Sequence, residues 1–279
     1  MMICKAGTWP QYRGSYGGLD LVSSEPLPGC LPDPTLDRGS LPTLDLPPEL
    51  QWQQAGSIWT ANGTLSVEIA HGADAIVLNV ANLITVRVWP TKMKSIFSAA
   101  ENVSDEQLLC LLVGPVLMLL LALRKHFVLH ASAIQTDRGA ILLCGESGVG
   151  KSTLARSFDT ALADDLSCVP CSERPMLAGA VPQLKWNPSY KQFIPLPVQA
   201  VFFLNPGSPT RPRTRKLSPR DTALRLCRHT VASRLFPSHL LKTHLRWSAE
   251  MASGIRAFEL EYRQLRDQIP AMKARILAS

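Results

Sequence analysis

The stretch that decides the fold is AILLCGESGVGKST, residues 140–153. Its apolar first part, Ala140 to Cys144, predicts a buried β-strand. The strand runs directly into residues 145–152, a complete G-x-x-x-x-G-K-S phosphate-binding loop. In such a loop, backbone N–H groups surround a β-phosphate while the next helix directs its positive end toward it. The stretch therefore predicts a nucleotide-binding site.

Each residue type in this loop has a separate task. The glycines give the backbone freedom and allow close approach, Lys151 reaches the β- and γ-phosphates, and the Ser152 hydroxyl is placed to ligate Mg²⁺. We expect nine residues to bind the nucleotide: Gly145, Glu146, Ser147, Gly148, Val149, Gly150, Lys151, Ser152 and Thr153.

A histidine precedes the loop and two aspartates follow it. His130 stands 15 residues before Gly145, in the apolar run 129–134, and Asp164 stands 13 residues after Lys151, followed by Asp165. A lone histidine in an apolar strand is often a core residue, and paired aspartates at a strand end are often a turn. Next to a phosphate loop, the order instead favours a catalytic constellation.

This order resembles the bacterial HPr kinase/phosphorylase family, which shares its core with phosphoenolpyruvate carboxykinases. The matching segments are 129–131 (LHA), 145–152 and 163–165 (ADD). The resemblance implies an α/β P-loop kinase core, with ATP and Mg²⁺ as ligands. It also implies Asp164 as the base that takes the proton from the acceptor hydroxyl, with His130 beside it and Lys151 on the phosphates. Ser152 and Asp165 would hold Mg²⁺.

The chain departs from that family in two ways. Only 12 residues separate Lys151 from Asp164, so the helix after the loop must be short or tightly turned. No segment downstream matches the Glu-x-Arg-Gly-Leu-Gly signature through which HPr kinase/phosphorylases engage their protein partner. The chain is therefore more similar to reduced HPr-kinase-like proteins, among them the tailoring kinases of lasso-peptide clusters. Residues 182–186, PQLKW, match a segment typical of these proteins.

Composition favours a compact cytoplasmic protein. The chain has 279 residues, 46% of them hydrophobic and 18% charged, which is enough for a core in one or two domains. Its start, MMICK, leads into no apolar signal region. The seven cysteines are scattered, as reduced core thiols would be, and the single pair Cys168 and Cys171 is a weak indication of zinc or redox chemistry.

Residues 108–123 form the one membrane-like segment of the sequence. A membrane span needs about 20 apolar residues, and this run is shorter and contains Gly114-Pro115. Ser104 and Gln107 form a capping box before it. We expect two short buried helices; a transmembrane span is the alternative.

Three regions are expected. Residues 1–50 are proline-rich and predict an extended, partly disordered arm, and residues 51–103 alternate and predict a small antiparallel β subdomain with a turn at Asn62-Gly63. Residues 104–279 form the kinase core with C-terminal helices. Within it we expect strands at 198–204 and 256–262, a loop at 206–216, and helices at 219–236, 240–253 and 267–277.

The net charge of +7 indicates either a binding surface for an acidic partner or a basic surface exposed to solvent. Four cations crowd residues 211–216, without interleaved aromatics or a nucleic-acid motif, so nucleic acid is not expected. The alternatives are a solvated face and an attraction for an acidic peptide. Lys185, beside Trp186, either binds a ligand or extends past the indole to solvent.

The sequence thus predicts a kinase acting on a serine or other hydroxyl of a peptide, such as a ribosomal precursor peptide. A small-molecule kinase and a non-catalytic nucleotide-binding module are the alternatives, and the short interval between Lys151 and Asp164 favours the second of these. A transport or mechanical NTPase is disfavoured because no ABC signature is recognisable. No membrane partner is expected, and a homo-oligomer is compatible with the sequence.

Overall fold

The computed structural model describes the whole chain except residues 9, 17–18, 28–29, 34, 36–43, 47–48, 61–62, 179–180, 182–194 and 265. The segment 182–186, including Lys185 and Trp186, therefore lies outside the described residues. The chain divides into two compact units, Met1–Arg124 with Ala232–Ser238, and Lys125–Val231 with His239–Ser279. Each unit contains a sheet, and the fold is mixed α/β.

The sheet of the first unit contains nine strands in its described part. Their order across the sheet is β4-β2-β3-β1-β9-β8-β7-β6-β5. The run from β5 to β9 is antiparallel, as the alternation of the sequence predicts, and Thr60 lies opposite Gly63 where β5 meets β6. The strands are β1 (Met2–Lys5), β2 (Tyr12–Tyr16), β3 (Leu19–Ser23), β4 (Leu31–Pro32), β5 (Gln53–Thr60), β6 (Gly63–His71), β7 (Ile76–Val80), β8 (Ile84–Trp89) and β9 (Lys94–Ala99).

The structure differs from the expected arm over residues 1–50, because β1 to β4 belong to this sheet. β1 pairs in parallel with β9, with Ile3 opposite Ser95, and its other edge pairs with β3. The prolines do not prevent this, since Pro32 lies on the edge strand β4, where a missing N–H is tolerated. The boundary between the units falls after Arg124, not after residue 103.

The apolar segment after β9 is one helical run, not two separate helices. Helix α1 (Asp105–Leu111) begins at the predicted capping box of Ser104 and Gln107. A π-helical turn over Leu112–Val116 contains Pro115 and leads into α2 (Leu117–Leu123). A π turn accommodates the missing N–H of proline without ending the run. By length and composition Asp105–Leu123 could cross a membrane, but 61% of it is buried inside the protein, as in a core helix.

The second unit is built on β10 (His126–Thr136) and β11 (Gly139–Cys144), an antiparallel pair. The elements that follow are α3 (Lys151–Arg156), β12 (Ala161–Ala163), β13 (Leu166–Pro170), β14 (Met176–Leu177), β15 (Leu196–Pro206), β16 (Arg213–Lys216), α4 (Pro219–His229), α5 (Ser238–Gly254), β17 (Arg256–Tyr262) and α6 (Ile269–Leu277). The main sheet order is β12-β10-β11-β15-β17-β16, with β11, β15 and β17 parallel.

One face of this sheet carries the core that supports the phosphate loop. Leu143 of β11, Phe202 of β15 and Leu260 of β17 are buried there together with Leu154 of α3 and Ile276 of α6. Burial of such side chains contributes about 1.5–3 kcal/mol each. The core therefore fixes α3, and with it the residues that begin this helix, against three parallel strands.

Most predicted elements of the second unit are present, with two corrections. The expected loop 206–216 contains the edge strand β16, whose Arg215 is paired with Glu259 of β17 at 2.5 Å. The expected helix 219–236 ends at His229, and residues 233–235 form a separate 3₁₀ turn. Strand β17 has the predicted bounds.

Candidate functional site

The phosphate loop leaves the end of β11 and turns sharply into α3. Gly145 is enclosed, since a Cβ there would lie 2.9 Å from Val149 Cγ2 and 3.3 Å from the Leu204 carbonyl oxygen. Gly148 and Gly150 have φ of 85° and 90°, in the left-handed region that only glycine adopts without strain. Glycine is thus required at these three positions for distinct reasons. Helix α3 has six residues, which confirms the expected short helix.

Lys151 is the most constrained side chain of the loop. It is 5% exposed, and its Nζ donates to the carbonyl oxygens of Gly145 and Glu146 at 2.9 Å each. The same Nζ lies 2.9 Å from His130 Nε2. An ammonium group has three donors, and these contacts hold it inside the curve of the loop.

His130 connects this lysine to the second aspartate. Its Nδ1 lies 3.3 Å from Asp165 Oδ1, while its Nε2 faces the Lys151 ammonium. Because an ammonium cannot accept a hydrogen bond, Nε2 is the acceptor from Lys151, and in the neutral ring the Nδ1–H then faces Asp165. Both side chains are about a quarter exposed, at 28% and 23%, so the His130 and Asp165 end of this line is open to solvent, whereas Lys151 is buried. The structure therefore brings together three of the predicted site residues.

Asp164 occupies a different environment. Its side chain is 1% exposed, and its Oδ2 accepts a hydrogen bond of 2.6 Å from Arg156 Nη2, at the end of α3. Its Oδ1 is buried and has no hydrogen-bond partner among the described residues. Sequence reasoning did not identify Arg156, which stands one turn after Ser152 on α3. Asp164 is anchored, whereas Asp165 is accessible.

The two aspartates lie at an interruption between β12 and β13, which both pair with β10. His130 is opposite Leu166 of β13, and Ala133 is opposite Ala163 of β12, with a register shift beside it. The Ser132 hydroxyl donates to the Asp164 carbonyl oxygen across this gap. The long strand β10 therefore places Asp165 next to His130 and directs Asp164 inward.

The C-terminal end of α4 also lies beside the loop. Arg228 Nη2 is 2.8 Å from Glu146 Oε1, and both side chains are well exposed. Burial lowers the pKa of His229 to about 4; the charge of Glu146 opposes this shift, and the smaller effects of His130, Lys151 and Arg228 add to it. His229 is thus neutral at pH 7 and within electrostatic range of the loop, a proximity that the sequence did not reveal.

A metal ion at this site would require hard oxygen ligands, and the residues present are suitable. Mg²⁺ usually takes one or two carboxylates together with substrate phosphates. The partly exposed Ser152 hydroxyl and the Asp165 carboxylate are donors of this kind. Among the described residues, no group of three or more His, Cys, Asp or Glu side chains is placed to hold a metal ion. A metal ion at this site would therefore need the phosphates as additional ligands.

Comparison with known proteins gives structural likenesses but no sequence match. No family model matches this chain, and no curated protein matches its sequence. The structure is similar to the HPr(Ser) kinase/phosphatase from Coxiella burnetii with 13% sequence identity and a TM-score of 0.28, over 54% of this chain and 97% of that protein. A likeness at this level does not establish a function.

Proposed function

We propose that this protein is a Mg·ATP-dependent kinase that phosphorylates a hydroxyl group. The supporting observation is the contact line from Lys151 of the phosphate loop through His130 to the accessible Asp165 carboxylate. A phosphate loop alone binds a nucleotide, but a carboxylate beside it provides the proton acceptor that phosphoryl transfer to a hydroxyl uses.

Asp165 is the better candidate for the base, although the family resemblance pointed to Asp164. The acceptor hydroxyl must reach the carboxylate, and Asp165 is 23% exposed whereas Asp164 is 1% exposed and paired with Arg156. The Nδ1–H of His130 orients Asp165 by donating to it. In this proposal the buried Asp164, held by Arg156, fixes the strand interruption.

The reaction then follows from these positions. Lys151 exchanges the carbonyl oxygens of Gly145 and Glu146 for the β- and γ-phosphates, since it has the same three donors in both states. The acceptor oxygen forms a bond to the γ-phosphorus while the bond from this phosphorus to the β-bridging oxygen breaks. The proton of the hydroxyl passes to Asp165, and ADP leaves. The Ser152 hydroxyl would be a ligand of Mg²⁺, which would neutralise phosphate charge when bound.

The proposed acceptor is a serine or another hydroxyl of a peptide, such as a ribosomal precursor peptide, in the cytoplasm. This rests on the three segments that resemble HPr kinases, on the likeness of residues 182–186 to reduced HPr-kinase-like proteins, and on the absence from the sequence of the Glu-x-Arg-Gly-Leu-Gly signature. HPr is accordingly not the expected acceptor. A protein that only binds the nucleotide is the second candidate, favoured by the closed contacts of Lys151 and Asp164.

The test is phosphate transfer from Mg·ATP to candidate peptides, including short peptides encoded beside this gene, measured by intact mass. Lys151→Ala is expected to abolish ATP binding. Asp165→Asn is expected to retain ATP affinity and to slow transfer by about 10²-fold or more, the scale of a positioned base. Asp159→Asn, an exposed aspartate after α3, is the matched control and leaves the rate unchanged.

Two results would contradict the proposal. A wild-type rate for Asp165→Asn would remove this residue from the chemistry. Binding of Mg·ATP with no transfer to any hydroxyl would favour the nucleotide-binding module. Phosphorylation of HPr would contradict the peptide acceptor while leaving the kinase assignment intact.

A further inference from the structure

Two side chains at the end of β17 hold the phosphate loop from outside. The hydroxyl of Tyr262 donates to the carbonyl oxygen of Val149, and the amide Nε2 of Gln264 donates to the carbonyl oxygen of Gly148. Tyr262 is 3% exposed and is part of the core that also contains Val149, so its position is fixed by packing. Consecutive carbonyls of the loop are thus engaged by one short segment that lies more than 110 residues away along the chain.

These two contacts fix the orientation of the peptide groups on either side of Val149. A trans peptide is planar, and its C=O and N–H point in opposite directions. Holding the carbonyl of Gly148 outward turns the N–H of Val149 inward, and holding the carbonyl of Val149 outward turns the N–H of Gly150 inward. Neither N–H has a hydrogen-bond acceptor among the residues that the structure describes. Both N–H groups are thus directed away from Tyr262 and Gln264 and are available to a ligand.

We infer that Tyr262 and Gln264 are positioning residues for nucleotide binding, which hold the N–H groups of Val149 and Gly150 in the orientation that receives a phosphate. This inference rests on the proposed function, because it requires the loop to bind phosphate. Two glycines with positive φ make the loop adaptable, so external contacts are needed to select one orientation of each peptide. Burial raises the pKa of Tyr262 to about 12, so its hydroxyl remains a donor at neutral pH.

The experiment measures the affinity of purified protein for Mg·ADP and for Mg·pyrophosphate by calorimetry. Tyr262→Phe removes one hydroxyl and retains the buried ring, and Gln264→Ala removes the second donor from an exposed position. Losing one such hydrogen bond is expected to lower both affinities by the same factor, about 3- to 10-fold. Equal factors for the two ligands place the effect at the phosphates, because pyrophosphate has no base or ribose.

Thr222→Val is the matched control. Thr222 is 1% exposed, and its hydroxyl donates to a backbone carbonyl, that of Ser218 at the opposite end of α4 from His229. This variant is expected to lower the melting temperature like Tyr262→Phe and to leave both affinities at the wild-type value. A purely structural role of Tyr262 would make the two variants behave alike.

The outcomes separate this inference from the proposed function. Wild-type protein that binds neither Mg·ADP nor Mg·pyrophosphate overturns the nucleotide-binding function and the inference with it. Wild-type binding together with unchanged affinity in both Tyr262→Phe and Gln264→Ala overturns the inference alone. If Tyr262→Phe does not fold, Gln264→Ala decides, since its side chain is exposed and its loss leaves the core intact.

Discussion

Replacing Arg156 with leucine tests the role of the buried Asp164 carboxylate. The substitution retains apolar volume on α3 and removes the 2.6 Å hydrogen bond to Asp164 Oδ2. Asp164 is 1% exposed and its Oδ1 already has no partner, so the variant leaves a carboxylate with no hydrogen bond to its side chain from the described residues. The folded state then contains an uncompensated buried charge.

The magnitude follows from the burial of the two partners. Breaking a fully buried ion pair costs about 3–5 kcal/mol, and a hydrogen bond to a charged group contributes about 1.5–3 kcal/mol. The Arg156 side chain is 50% exposed, so water partly screens the pair and the lower range applies. We expect a loss of about 2 kcal/mol in the free energy of unfolding and a decrease of about 4–8 °C in Tm.

A double-mutant cycle separates the pair from its surroundings. Thermal unfolding of Arg156→Leu, Asp164→Asn and the double variant gives the coupling energy, which we expect to be about 1–2 kcal/mol for contacting residues. The neutral amide of Asp164→Asn costs less to bury without a partner, so the double variant is expected to be more stable than Arg156→Leu alone. A Tm of Arg156→Leu within about 1 °C of wild type would refute a stabilising role of the pair.

Two further predictions concern charge and pH. Glu146→Gln is expected to raise the affinity for Mg·ATP about 2- to 5-fold, because it removes an anion from the loop, and Arg228→Gln is expected to lower this affinity. Calorimetric titration measures both effects, which should shrink at high salt; a change of the opposite sign would contradict the prediction. Burial lowers the pKa of His244 to about 4, below its unfolded value of 6.5, so the unfolded state binds more protons between these values. The contribution of His244 to stability is therefore full above pH 6.5 and falls toward pH 4 by up to about 3 kcal/mol. Since the pKa of His229 is also lowered to about 4, His244→Gln should reduce the slope in urea unfolding without removing it; an unchanged slope would exclude His244 as a source.

The sequence predicted those parts of the fold that have local signals. The strands β10, β11, β15 and β17 and the helices α5 and α6 follow from hydrophobic periodicity, and the phosphate loop follows from its motif. The strands of residues 2–32 were missed because their main evidence is non-local. β1 is stabilised by parallel pairing with β9, about 90 residues away, and proline content hides such a strand. The π turn that contains Pro115 was also missed. The apolar pattern is the same on both sides of this proline, so it does not show whether the proline ends the helix or lies inside it.

For the site itself, the sequence could not predict which of Asp164 and Asp165 is accessible. From the sequence, both aspartates were expected at the site, but they lie in a bend between β12 and β13, and only Asp165 lies beside His130. Which one faces the loop depends on the register between β10 and its two partners, and a shift beside Ala133 sets that register. The shift has no signature in the local pattern, because Ala133 and Ala163 are small apolar residues in either register. Only Arg156 could have indicated the answer, because a cation on the short helix α3 requires a partner within reach, and Asp164 is that partner.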